Sequence, residues 1–185
     1  MLYTRKGDDG TTKTLKQKPG ERISKSSCQT EALGLMDELN SFLGLPKVLS
    51  SKEGTILGSG ESCADIVHEV QNNLFIVQAE LAGADKTMAK DKIDRIEALI
   101  DGIEKELPPI TSFFISGGTE LAALFDVSRT LARKAERGVV KAIESSEVTV
   151  GDHTKQYLNR LSSLLYALAR FANHVHGIQE KPPSY

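Results

Sequence analysis

Apolar residues recur at three- and four-residue intervals along most of this chain, the period that packs one face of a helix. Leu33, Met36, Leu39, Phe42 and Leu43 form one such stripe and predict a first helix from about Lys25 to Val48. Ile66, Val70, Leu74, Val77 and Leu81 form a second, running to about Ala82, after a Gly/Ser-rich loop at 51–62. "KDKIDRIEALIDGIEKEL" is a third, amphipathic and well charged outside, stopped by Pro108 and Pro109. After the linker "PITSFFISGG", a fourth helix is predicted from Thr119 to Glu144 and a fifth from Asp152 to about His176. In the fifth, Leu158, Leu161, Leu164, Leu165, Leu168 and Phe171 point inward, with Asn159, Ser163 and Arg170 elsewhere. Strand signals are nearly absent and no repeat is found. The pattern predicts one all-α domain, an antiparallel five-helix bundle at 26–178, with a polar leader at 1–25 and a tail at 179–185.

Composition narrows the function only slightly. At 185 residues, 39% hydrophobic and 26% charged, the chain has ordinary globular proportions, and a net charge of −2 gives no case for nucleic acid. Charge is uneven, however. The first 25 residues hold seven Lys and Arg against three acids. Cys28 and Cys63 form no C-x-x-C pair, which argues against zinc and a redox dithiol and for a reducing, cytoplasmic setting. No run approaches membrane-spanning length, and no membrane partner is expected.

Two stretches suggest chemistry. "YTRKGDDGTT" (3–12) has the glycines and polar groups of an anion loop, with almost nothing to bury. In "SRTLARKAERGVV", Arg129, Arg133 and Arg137 follow one another at four-residue steps and drift only about 40° each time, so they form a ridge with Glu136 alongside. Such a ridge suits a polyphosphate, although for the stripe alone a solvated face laced with ion pairs is the commoner meaning. Asp37 borders the apolar stripe of the first helix, where a carboxylate needs a partner, and a ridge arginine is the nearest plausible one. Neither a P-loop nor paired Glu-x-x-His motifs are present, and no protein nucleophile stands out. The inventory is that of a site that positions a polyphosphate while another group attacks.

Taken together, "YTRKGDDGTT", "GERISK", "MDELNSFLG", "FFISGG", "SRTLARKAERGVV" and "YLNRLSSLLYALAR" resemble the ATP:cob(I)alamin adenosyltransferases of the PduO type, in order and over nearly the whole chain. The resemblance implies a ferritin-like five-helix bundle, assembled as a homotrimer with active sites between subunits. It implies transfer of the 5′-deoxyadenosyl group of ATP to cobalt of reduced cobalamin, with Mg2+ on the phosphates and triphosphate released. By this resemblance Thr4, Arg5, Lys6, Gly7, Thr12, Lys13 and Lys25 bind ATP, together with Arg133, Lys134, Ala135, Glu136, Arg137 and Asn159. Asp37 and Arg129 match an ion pair at the corrinoid site, and Phe113 an aromatic ring on cobalt's lower face. Asp37, Phe113, Arg129 and Arg133 then form the catalytic set, with cob(I)alamin as nucleophile. A reductase or a cobalamin-dependent enzyme is the implied protein partner. Lys134 stands where arginine is frequent, the 51–62 loop is long, and the ending "IQEKPPSY" has no clear counterpart. Competing readings are an all-α, Mg-dependent nucleotide pyrophosphohydrolase and a non-enzymatic corrinoid carrier.

Overall fold

Ser27, Ser62 and Thr119 each precede a helix and accept a hydrogen bond from its first turn, and these caps set three of the helix starts. The computed structural model describes residues 3–185. Its helices are α1 (Cys28–Phe42), α2 (Gly44–Glu53), α3 (Cys63–Leu81), α4 (Lys90–Glu106), α5 (Glu120–Glu144) and α6 (Asp152–Val175). α1 and α2 are one helix broken at Leu43, which keeps helical dihedrals (φ −57°, ψ −18°). Pro46 causes the break, because it has no N–H for the carbonyl of Phe42. With that break counted, the five-helix expectation holds.

Side-chain pairings give the helix directions. Glu38 of α1 meets Lys134 of α5, and Gly138 one turn on faces Leu35 one turn back, so these helices run antiparallel. Asn73 and Glu80 of α3 bond Tyr157 and Thr154 of α6, again antiparallel. Thr119 at the start of α5 bonds Asn173 at the end of α6. Glu97 pairs with Arg160, and the Pro108 carbonyl with Arg170, so α4 runs parallel to α6. Consecutive helices therefore alternate in direction. α5 packs between α1 and α6, and α4 lies on α6.

The buried seam of α5 is made of small residues, Ala132, Ala135, Val139 and Ala142, which bring its axis close to its neighbours. At Gly138 a Cβ would stand 2.5 Å from a methyl of Leu35, so that position is reserved for the α1 side chain. The stripe of α1 is Ala32, Met36, Leu39 and Leu43, with Leu33 and Phe42 only partly covered. All six apolar residues expected to point inward from α6 do so. Arg170 departs from its expected place: it is only 4% exposed, inside the bundle rather than beside it.

The leader is more ordered than its polarity implies. Thr11–Thr12 (β1) and Ile23–Ser24 (β2) pair antiparallel, a strand element that the apolar pattern does not announce. Arg22 ties them by donating to the Thr11 carbonyl at 2.9 Å. The Leu15 N–H donates to the Ala82 carbonyl at 3.0 Å and docks the leader on the end of α3. No helix among the described residues is long and apolar enough to cross a membrane.

Burial, with the charge of Glu106 second, pushes the Cys63 thiol up to about 12. Only thiolates react readily with disulfide reagents. We expect labelling of the native protein to stop at Cys28 and Cys63 to react only after denaturation. Modification of both thiols in the folded protein would contradict this placement.

Candidate functional site

The linker between α4 and α5 leaves the bundle at Pro108 and returns at Thr119, and between them it is fastened to α5, α6 and the tail. The Arg170 guanidinium donates to the Pro108 carbonyl at 2.9 Å. The Ile115 N–H donates to the Lys181 carbonyl at 2.9 Å. Asn173 donates to the Gly117 carbonyl (2.8 Å) and accepts from the Thr119 N–H (2.9 Å). Gly117 and Gly118 take φ of +115° and +108°, a region that only glycine enters without strain. The Gly117 N–H in turn donates to Asp126.

Phe114 lies under Arg170, 5.5 Å from the guanidinium carbon to the ring centre. Phe113, its neighbour, is 84% exposed. It lines a cavity of about 620 Å³ whose wall also holds Asp126, Arg129, Arg133, Tyr166 and Arg170. A large exposed ring in the wall of a concave, partly basic cavity is a candidate contact surface.

The far wall is the ridge. Arg129 lies 3.5 Å from Asp126 and 5.8 Å over the Tyr166 ring. The geometry at Asp126 is that of an ion pair without a hydrogen bond, and Arg129 Nε is buried with no hydrogen-bond partner among the described residues. Burial, with Glu180 second, raises the Tyr166 hydroxyl above its usual range, so it stays neutral. Arg133 is exposed, joins the cavity wall and makes no hydrogen bond or ion pair among the described residues. Arg137 is exposed beyond the cavity. Lys134 donates to Glu38 at 2.8 Å, and Glu136 accepts from Asn159 at 3.3 Å. Ala135 is buried in the α5 seam at 1% exposure, so its side chain faces the core rather than the ridge.

Asp37 does not meet Arg129 within the chain. It is exposed and takes part in no ion pair among the described residues. The cause is helical phase: Asp37 is one residue, about 100°, past the buried Met36 and faces solvent.

The leader gathers its own group. Lys25 donates from Nζ to the Gly7 carbonyl at 2.8 Å and from its N–H to the Gly10 carbonyl at 2.9 Å. Gly10 takes a positive φ of +79°, as a turn of this kind requires; Arg5 does so too (φ +59°), and Gly7 does not. Gly7 is needed for space, since a Cβ there would stand 3.0 Å from the Thr11 carbonyl oxygen and 3.1 Å from Lys25 Nζ. Thr4 accepts from the Lys6 N–H, and Thr12 pairs with Ile23 in the strands. Lys13 is exposed and lines a separate groove with Leu33 and Ala82. Asp9 is committed to Thr11, whose hydroxyl and N–H hold its carboxyl below the usual range. Among the described residues, none of the leader is in the wall of the large cavity.

Sequence reasoning passes over Asp126, Tyr166, Arg170, Asn173 and Glu180. One signal was available. The run Leu164 to Asn173 is so nearly continuous in small and apolar residues that a charge within it has no solvent to face and must be paired.

The sequence model of the family described as "Cobalamin adenosyltransferase" matches residues 2–172. The corrinoid adenosyltransferase PduO of Citrobacter freundii is 37% identical over 94% of the chain, which spans about half (50%) of that relative's length. The corrinoid adenosyltransferase of Mycobacterium leprae is 33% identical, with 98% of this chain and 95% of that one covered. Among solved structures, a phenylalanine-to-alanine variant of the PduO-type ATP:corrinoid adenosyltransferase from Lactobacillus reuteri, complexed with cobalamin and ATP, superposes with a TM-score of 0.86. It is 28% identical, and the match covers 100% of both chains. An arginine-to-lysine variant from the same organism, complexed with ATP, gives a TM-score of 0.85 at 28% identity, with 99% of this chain and 100% of that one covered.

Proposed function

Because the chain belongs to the cobalamin adenosyltransferase family and is an ATP:corrinoid adenosyltransferase, we propose that the corrinoid seats in the cavity between the 108–118 linker and the α5 ridge. The exposure of Phe113 at that wall carries the reading. Its ring lies against the lower face of the corrin and keeps an axial ligand off cobalt, which makes Co(II) easier to reduce. The resulting Co(I) then attacks C5′ of ATP with its lone pair, the C5′–O bond breaks, and triphosphate leaves with the bonding electrons. The protein's own contribution is position and charge.

ATP is held by the leader (Thr4 to Gly7, Thr12, Lys13 and Lys25) and by Arg133, Lys134, Glu136, Arg137 and Asn159. The described residues of the leader are absent from the cavity wall, which supports a site completed between copies of the chain, in a homotrimer. Mg2+ accompanies the nucleotide. The ATP phosphate oxygens would hold it; among the described residues no group of three His, Cys, Asp or Glu could hold a metal ion. A cytoplasmic setting, with a reductase or a cobalamin-dependent enzyme as partner, belongs to the same proposal and is supported by the two free thiols.

Incubation with ATP, Mg2+ and chemically reduced cobalamin tests the reading: the cobalt–carbon bond should form and triphosphate appear in equal amount. Lys25→Ala and Arg133→Ala should each raise the KM for ATP about ten- to a hundredfold by removing a charge-assisted contact. Each variant has a second effect: Lys25 also ties the leader to itself, and Arg133 also lines the corrinoid cavity. Pyrophosphate as the product, or an unchanged KM for ATP in both variants, would overturn the assignment.

A further inference from the structure

Arg170 is a buried cation in the last two turns of α6, and it holds three groups. Nε donates to Glu180 of the tail at 2.9 Å, one terminal nitrogen donates to the Pro108 carbonyl at 2.9 Å, and the planar face covers Phe114. A buried arginine is expensive unless fully paired, so these contacts specify one arrangement of the groups they join. Those groups are the start of the linker, its middle and the tail, which is itself bonded to the linker at Ile115.

The consequence falls on Phe113. Holding Phe114 against the guanidinium and the Pro108 carbonyl on its N–H fixes the linker backbone on both sides of Phe113, and with it the direction in which the Phe113 side chain leaves. Phe113 has no anchor of its own at 84% exposure. Its direction is inherited from its neighbour.

We propose that Arg170, held in place by Glu180, is a positioning residue that aims Phe113 into the corrinoid cavity. The proposal rests on the corrinoid reading of that cavity, and it adds that the tail takes part in setting the ring. Arg170 and Glu180 also stand in the cavity wall, but the role proposed here does not depend on their touching substrate. Arg170 acts through the linker.

The test uses the full chain. It has no tryptophan, so Phe113→Trp places a single fluorophore at the ring position. Adding Glu180→Gln to this probe should lower its fluorescence anisotropy, because the neutral amide no longer holds Arg170 and the linker loosens. Glu180→Gln alone should lower kcat/KM for corrinoid about tenfold through kcat, with the KM for ATP unchanged. Arg170→Lys should fall between wild type and Arg170→Ala, since lysine keeps the charge for Glu180 but cannot also reach Pro108 or cover the ring. Should the Arg170 variants fail to fold, Glu180→Gln decides, because Glu180 lies in the tail outside the helices. Unchanged anisotropy with wild-type kinetics overturns the proposal. A loosened probe with wild-type corrinoid kinetics overturns instead the placing of Phe113 against the corrin, and with it the purpose of the anchor.

Discussion

Replacing Phe113 with alanine is expected to leave ATP binding intact and to slow adenosylation that starts from Co(II) by about a hundredfold. A phenylalanine ring moved from water onto an apolar surface is worth about 1.5–3 kcal/mol. Exchanging that contact for an open lower face then raises the barrier by about 3 kcal/mol, the equivalent of that factor. Because the ring is 84% exposed, its removal opens no cavity in the core and should barely move the melting temperature. Kinetics started from chemically prepared Co(I) should suffer much less, since the reduction step is bypassed. Electron paramagnetic resonance of bound Co(II) gives the direct readout. Persistence of the four-coordinate signal in the variant would remove Phe113 from the site. Phe114 is a poor substitute, because it is already stacked on Arg170.

The second large effect concerns Asp37 and Arg129. Within one chain Asp37 is exposed, while Arg129 lies beside Asp126 with its Nε lacking a hydrogen-bond partner. If the two pair, they pair between subunits, and coupling measured in a double-mutant cycle must disappear on dilution to monomers. Removing one partner of a buried pair costs about 3–5 kcal/mol. The two single variants should differ. Arg129→Ala leaves Asp126 as well as Asp37 without a cation, whereas Asp37→Ala leaves Arg129 its Asp126. Arg129→Ala should therefore be the more damaging to both assembly and corrinoid turnover. Exchange of the charges, Asp37→Arg with Arg129→Asp, should restore assembly better than activity, since it sets a new aspartate beside Asp126. Sedimentation of the four proteins together with their corrinoid kcat/KM checks this. Zero coupling in the assembled state, with both single variants fully active, would mean that Asp37 is a solvated helix carboxylate and nothing more.

The helices were legible because their information is local. Every stripe residue named at 66–81 and 158–171 is buried, and Pro108 marks a real end, whereas the first helix starts at the Ser27 cap rather than at Lys25. The break at Leu43 was written in Pro46 but is easily read through, since the apolar period continues across it. The site divides along the same line. The arginine ridge follows from helical spacing alone. The anchors of the linker do not, because Arg170 with Pro108, Glu180 with Arg170 and Asn173 with Gly117 pair groups on different elements, and periodicity carries no record of a partner's identity. Gly7 illustrates a subtler miss. The sequence shows it only as one glycine of an anion loop, but the structure uses its lack of a side chain to make room for Lys25.

The contact of Gly138 with Leu35 has a bearing on how this protein can change over generations. One helix carries both the ridge and the seam, so a side chain gained at 138 pushes on α1 and rotates or lifts the arginines with it. The methyl of Leu35 can give way to an alanine, but a bulkier residue calls for a shorter one at 35. Positions 35 and 138 are thus expected to drift as a pair, and a lineage that alters one alone shifts the aim of its arginines without touching any of them.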